Sequence, residues 1–289
     1  MEWNVVAVAI KALSYATLLV AGGGVLFMAI FAAQLNAIER RRVMQFTRAI
    51  AVAALFVTIV RVMVLSGMLG DDIAAMWDWS IISMVLQGSE GNAAGVRLIG
   101  LIAIAAFSFG TSLTQAVAGL GALAIAVSFG LTGHSGSVGP GAIPRVLVAI
   151  HVLAVTYWIG ALAPLYSIAA ADDRARAAAI LTRFGNIAAV VVGTLIVAGA
   201  VTLWILLGSL EAILTSDYGR LFILKLALVG ALLILAALNK FRLTPAIAAG
   251  DVNAALALRR SIAGEMLLAS AILIVTAVFT TVVGPPTME

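Results

Sequence analysis

The sequence contains no cysteine, only two histidines and six prolines, and few charged residues. Without cysteine, disulfides and thiolate metal sites are excluded, so a soft metal ion has only methionine and histidine as ligands. Charged residues make up 10% of the 289 positions and hydrophobic ones 63%, whereas a soluble domain is about half apolar and about a quarter charged. With a mean hydropathy of +1.17, the chain is predicted to be a membrane protein.

Long apolar runs recur along the whole chain and predict eight transmembrane helices in a single all-α, polytopic membrane domain over residues 1–289. A β-barrel is excluded because its strands would alternate apolar and polar residues over about ten positions. The first run is interpreted as a retained helix rather than a signal peptide. The predicted spans are 5–34, 46–69, 95–113, 115–131, 146–169, 184–208, 219–239 and 262–283.

Basic residues cluster in three of the loops and predict the orientation, since lysine and arginine are retained on the cytoplasmic side. The net charge of +4 is therefore interpreted as topology, and no nucleic-acid partner is expected. Both termini are predicted outside, on the periplasmic face of a bacterial inner membrane. The inner basic residues are Arg40, Arg41, Arg42, Arg48, Arg174, Arg176, Arg183, Lys240, Arg242, Arg259 and Arg260.

The outer segment 70–93 is too polar to span the membrane and carries Trp77 and Trp79. Indole rings prefer the headgroup level of a bilayer. We therefore expect a helix that lies along the interface and covers the outer mouth of the bundle.

Matched spacings in the two halves, 1–131 and 145–289, predict a four-plus-four architecture. Because each half has an even number of spans, the repeats would be parallel. The matched pairs are Gly91 and Arg97 with Gly219 and Lys225, six residues apart, and Ser14 and Gly23 with His151 and Gly160, nine apart.

A charged residue inside an apolar span costs a few kcal/mol unless it is paired or hydrated. Five of them are candidates for a pairing or pathway role. They are Lys11, Arg61, Arg97, Lys225 and Glu265. The four cations either reach the outer headgroups or pair with the outer acids Asp71, Asp72, Asp78 and Glu90. Arg61 is expected to face the bundle interior. Glu265 is placed to accept a hydrogen bond from Asn239, as an inner polar latch or as a late step of an ion path.

The two histidines, His134 and His151, are predicted at similar depth near the outer surface. Imidazole is the commonest metal ligand, so a converging pair is a candidate metal site. The alternative is that both are hydrogen-bonded core residues. Thioether sulfur suits copper(I), and Met63, Met68, Met76 and Met84 lie on the same side, where packing is their other role.

Catalytic motifs are missing: there is no Walker loop, HExxH or GxSxG. We therefore predict no enzyme. The glycine run AGGG in the first span is interpreted as a close helix contact. Transport would need a gradient, the membrane potential or a partner, because the chain has no energy-coupling domain.

The second half of the sequence contains LTGHSGSVGPGAIPRVLVAIHVLAVTYWIGALAPL, followed by SDYGRLFILKLALVGALLILAALNKFRLTP, LRRSIAGEMLLASAILIVTAVF and a terminal GPP. Together these stretches resemble the copper resistance D family. The resemblance covers about residues 125–286. The first half matches only in span count and in the glycine-to-arginine spacing before span three.

The resemblance implies an eight-span inner-membrane protein that imports copper ions from a periplasmic copper-binding protein of the copper resistance C type. His134, His151, Trp158 and Gly160 fall on the family signature, whereas the methionines rest on spacing alone. As mechanism, copper docks on both histidines with one or two methionines and then passes down the bundle. Two rivals stay open: a haem or redox protein with His134 and His151 as axial ligands, and an anion or lipid-headgroup binder built on the four cations.

Overall fold

The computed structural model describes residues 2–106, 111–132, 142–207 and 217–282, and within them the chain is helical, with no strand. This confirms the predicted all-α fold. The α-helices are α1 Trp3–Phe31, α2 Ala37–Gly70, α3 Trp79–Gln87, α4 Ser89–Ala106, α5 Ser112–Ser128, α6 Ala142–Ile168, α7 Arg174–Leu207, α8 Asp217–Leu238, α9 Thr244–Ala248 and α10 Val252–Thr281.

Seven helices in the described ranges are long and apolar enough to cross a membrane. The helix of the predicted third span, α4, is not among them, so the count of eight stays a prediction. Large apolar side chains point outward along these helices; Phe56, Ile99, Val190 and Ile234 are about 70% exposed. Outward apolar surface on this scale is what hydrocarbon solvates, and the protein is a polytopic membrane protein.

The start of α1 and the end of α10 lie at one end of the bundle, here named the terminal end. Lys11 Nζ, near the start of α1, donates to the Thr280 carbonyl at the end of α10, at 2.9 Å. Helices that return the chain to its starting side must cross an even number of times, which favours α4 as an eighth crossing.

The predicted inner loops meet at the opposite end. Arg176, at the start of α7, donates to both carboxylate oxygens of Glu39, and Arg174 donates to the Asp251 carbonyl at 3.1 Å. These contacts join the loops before α2, α7 and α10. The prediction that three basic loops share one end is thereby confirmed.

Segment 70–93 differs from its expected boundaries. A short helix, α3, covers part of it, and Trp77 and Trp79 are more than 70% exposed, as an interfacial segment requires. However, α4 begins at Ser89, six residues before the predicted span, so Glu90 belongs to a bundle helix and not to a loop. The polar start of α4 is stable in this position because Glu90 forms ion pairs there.

Helices α1 and α6 cross with their backbones in contact. A Cβ at Gly23 would lie 2.5 Å from Gly160 Cα, and a Cβ at Gly160 would lie 2.3 Å from Gly23 Cα. Only glycine permits this approach, as in other small-residue contacts between membrane helices. The predicted role of AGGG as a close helix contact is confirmed, and the partner is the glycine at the matching position of the predicted repeat.

After Leu238 the chain continues as one π-helical turn, Asn239–Leu243, before α9. Single π-turns are rare and recur at functional sites. This turn starts at Asn239, whose side chain points to the carboxylate described below.

Candidate functional site

Lys11, Arg61, Glu90 and Arg97 form a cluster at the terminal end, here named the charged cluster. Arg61 Nη2 lies 2.8 Å from both Glu90 oxygens, and Arg97 Nη1 lies 3.8 Å from Glu90 Oε2. Arg61 and Arg97 are 4% and 2% exposed. One carboxylate thus holds two buried guanidinium groups together, and Lys11 is close enough to interact electrostatically with all three.

Arg97 has two further partners on the α5 side of the bundle. Its Nε donates to Ser128 Oγ at 3.0 Å, and its guanidinium lies 5.2 Å from the Phe129 ring centroid. Charge-assisted hydrogen bonds and ring contacts compensate part of the cost of burial.

The expected pairing of the cations with four outer acids is corrected by these contacts. Among the described residues only Glu90 pairs with an intramembrane arginine. Asp72 accepts the Ala74 amide, and Asp78 accepts the Ser80 amide as the N-cap of α3. Arg61 and Arg97 are buried beside Glu90 inside the bundle, and the prediction that Arg61 faces inward is confirmed.

Of the two histidines, His134 lies outside the described residues. His151 is partly buried on α6. The first part of α6 lies at the terminal end and contacts Gly130, because a Cβ added at Gly130 would lie 3.0 Å from the Arg145 carbonyl oxygen. Lys225 of α8 is its electrostatic neighbour. His151 therefore lies on the part of α6 nearer the terminal end, while its depth in the membrane and its convergence with His134 stay predictions.

The four methionines at this end are arranged differently from one another. Met68 and Met84 are exposed, whereas Met63 and Met76 are partly buried. Met76 packs against Gly67, beside the Trp3 ring. A Cβ added at Gly67 would lie 2.7 Å from Met76 Cγ. No group of three or more histidine, aspartate or glutamate side chains suited to a metal occurs within the described part of the chain. The methionine ligands stay a prediction.

A second polar centre surrounds Glu265 of α10, which is 3% exposed. Trp158 Nε1 donates to Glu265 Oε2 at 3.0 Å, and Asn239 Nδ2 donates to Glu265 Oε1. The predicted contact between Asn239 and Glu265 is confirmed. Both donors are neutral, so within the described residues this buried carboxyl group has hydrogen bonds but no ion pair.

A cavity of about 300 Å³ opens beside this centre. Most of its wall is apolar and comes from α6, α7, α8 and α10, while Trp158, Asn239, Lys240 and Glu265 supply polar groups. Lys240 Nζ is held at the wall by the Gly185 carbonyl and Asn186 Oδ1, both at 2.9 Å. Glu265 therefore contributes a carboxyl group to the wall of this cavity, in the half of the bundle away from the terminal end.

The hydrogen bond from Trp158 to Glu265 was not predicted. In the sequence, Trp158 is notable only as part of the Trp-x-Gly signature. It lies 107 positions from Glu265 along the chain. A tryptophan within an apolar span signals an indole N–H that needs an acceptor, but the sequence does not indicate which helix supplies it.

Both halves of this bundle match models of known protein families. Residues 1–143 match the model described as Copper resistance protein D-like, N-terminal domain, and residues 178–279 match Copper resistance protein D. The chain belongs to the copper resistance D family. The resemblance inferred from the sequence is confirmed, but its extent was underestimated, because the first half has its own family match. His151, Trp158 and Gly160 lie between the two matched ranges.

No curated protein and no solved structure matches the chain. As a family member it is a copper-resistance-related membrane protein.

Proposed function

We propose that the protein imports copper ions across the cytoplasmic membrane, and that the ion enters at the terminal end, facing the periplasm. The observation that carries this proposal is the match of both halves to copper resistance D models. The basic loops that meet at the opposite end support the orientation, since such loops are retained in the cytoplasm.

The docking site proposed for copper consists of His134 and His151 with one or two of Met63, Met68 and Met76. Imidazole and thioether are suitable copper ligands, and thiols are absent. The position of His151 on the terminal-end part of α6 supports this assignment. A small periplasmic copper-binding protein of the copper resistance C type is the proposed donor.

Further along the bundle the candidate stations are sparse. Met28 of α1 is buried in the core, and Met266 of α10 packs against the same core. Glu265 follows as the carboxyl group beside the cavity. We propose Glu265 as a late step of the ion path. Its neutral partners support this role, because no cation pairs with Glu265 in the part of the chain that the structure describes.

The docking site is tested by copper binding to the purified chain. Replacing both histidines, His134→Ala with His151→Ala, is expected to weaken copper affinity by about tenfold or more, because two ligands are lost. Affinity is measured by competition with a chromogenic chelator and stoichiometry by metal analysis. The matched control is Ile150→Ala, a neighbouring α6 residue that is 41% exposed.

Unchanged stoichiometry and affinity in the double variant would remove the histidines from the site. A visible absorption spectrum of the same preparation separates the haem alternative: a Soret band that disappears with the histidines would identify axial ligands rather than a copper site. Copper accumulation by cells that express the chain then tests the direction of transport.

A further inference from the structure

The charged cluster contains more positive charge than it compensates. Lys11, Arg61 and Arg97 carry three formal positive charges, and Glu90 is their only acidic partner among the described residues. Burying an uncompensated charge in a membrane bundle is costly. The excess therefore calls for a negative charge that the described side chains do not supply.

Unused hydrogen-bond donors are found at the same place. Arg61 Nη1, Arg97 Nη2 and Ser14 Oγ are buried and have no hydrogen-bond partner among the described residues. Ser14 is 1% exposed and follows Lys11 by three positions, so the two lie on one face of α1. Buried donors are nearly always satisfied, and each exception needs an explanation.

Two sets of contacts relate the helices that carry these donors. Arg61 Nη2 is hydrogen-bonded to Glu90 and Arg97 Nη1 lies 3.8 Å from it, so both guanidinium groups lie beside the same carboxylate. Tyr15, next to Ser14, lies with its ring 5.3 Å from Phe129, the ring that Arg97 covers. This turn of α1 therefore packs against the surroundings of Arg97.

We propose that the charged cluster binds one small inorganic anion of the halide class, with Arg61 Nη1, Arg97 Nη2 and Ser14 Oγ as donors and Lys11 as a further source of positive charge. A halide accepts several donors without directional demands and reduces the excess charge. A water molecule would satisfy the donors but leave the charge unchanged. A lipid phosphate is a poor fit because the free donor atoms are enclosed. The inference does not depend on copper as cargo.

The test is binding of ³⁶Cl⁻ to the purified full-length chain in phosphatidylcholine nanodiscs, whose lipids carry no net charge. Saturable binding at about one chloride per chain is expected. Ser14→Ala should weaken it by about tenfold, since a hydrogen bond to a charged group is lost. Ser66→Ala is the matched control, because Ser66 is equally buried but donates to the Val62 carbonyl of its own helix.

Glu90→Gln is expected to change chloride affinity in the opposite direction from Ser14→Ala. It removes the one carboxylate that pairs with the arginines within the described ranges, so chloride should bind several-fold more tightly. A variant that merely disturbs packing would bind less. No saturable binding, or equal binding by Ser14→Ala and the unsubstituted chain, would overturn the proposal. Loss of chloride binding in phosphatidylglycerol nanodiscs would also overturn it, because the site would then be open to lipid headgroups.

Discussion

At the scale of single residues, the buried polar groups are arranged in two separate centres with different chemistry. In the charged cluster, Arg61 and Arg97 share Glu90. Around Glu265, by contrast, the donors found among the described residues are the neutral groups of Trp158 and Asn239. A buried carboxyl group without a cationic partner is more sensitive to the loss of a single hydrogen bond, because nothing else offsets its desolvation.

The Trp158 hydrogen bond predicts a measurable cost. Trp158→Phe leaves Glu265 Oε2 without this donor, and we expect a loss of about 1–3 kcal/mol in stability, in addition to lost packing. The measurement is the thermal unfolding midpoint of the purified protein in one detergent. Trp77→Phe, at a position 73% exposed, is the control; equal midpoints for the two variants would show that the hydrogen bond has no net value.

At the scale of elements, the helix assignments agree with the sequence better than the helix ends do. Apolar runs identify the central part of each helix, but α4 and α7 begin well before their predicted spans, at Ser89 and Arg174. Their first turns are polar, and hydropathy alone counts them as loop. Tertiary partners stabilise them: Arg61 binds Glu90 in α4, and Glu39 binds Arg176 in α7.

The crossing of α1 and α6 predicts a strong dependence on glycine. Gly160→Val would place carbon atoms where the Gly23 backbone lies, so the helices must separate and the yield of monodisperse protein should fall sharply. Gly193→Val in α7 is the same substitution at a position with no neighbour within 4 Å and should leave the yield unchanged. Fluorescence-detected gel filtration measures both, and equal yields would contradict a rigid crossing.

At the scale of the whole molecule, the bundle has two chemically different ends. The start of α1, the end of α10 and the charged cluster lie at one end, and the basic loops lie at the other. If the basic end faces the cytoplasm, as proposed, the α3 region faces outside.

This topology is directly testable because the chain contains no cysteine. Gln87→Cys at the end of α3 and Asn253→Cys at the start of α10 change exposed, uncharged positions, so the basic-residue distribution is preserved. In intact spheroplasts a membrane-impermeant maleimide should label the first variant only, and the second only after the membrane is opened. The reverse pattern would invert the proposed orientation.

The sequence by itself determined the class of molecule, because hydrocarbon as solvent requires long apolar helices whatever their packing. It also determined the family, the shared end of the basic loops and the contact between Asn239 and Glu265. Only the tertiary structure decided which charges meet: Glu90 pairs with Arg61 and Arg97, and Trp158 reaches Glu265 across 107 positions. Helix packing decides which polar groups meet inside a membrane bundle. Because the apolar helix faces are similar in composition, the sequence does not specify which of them pack together.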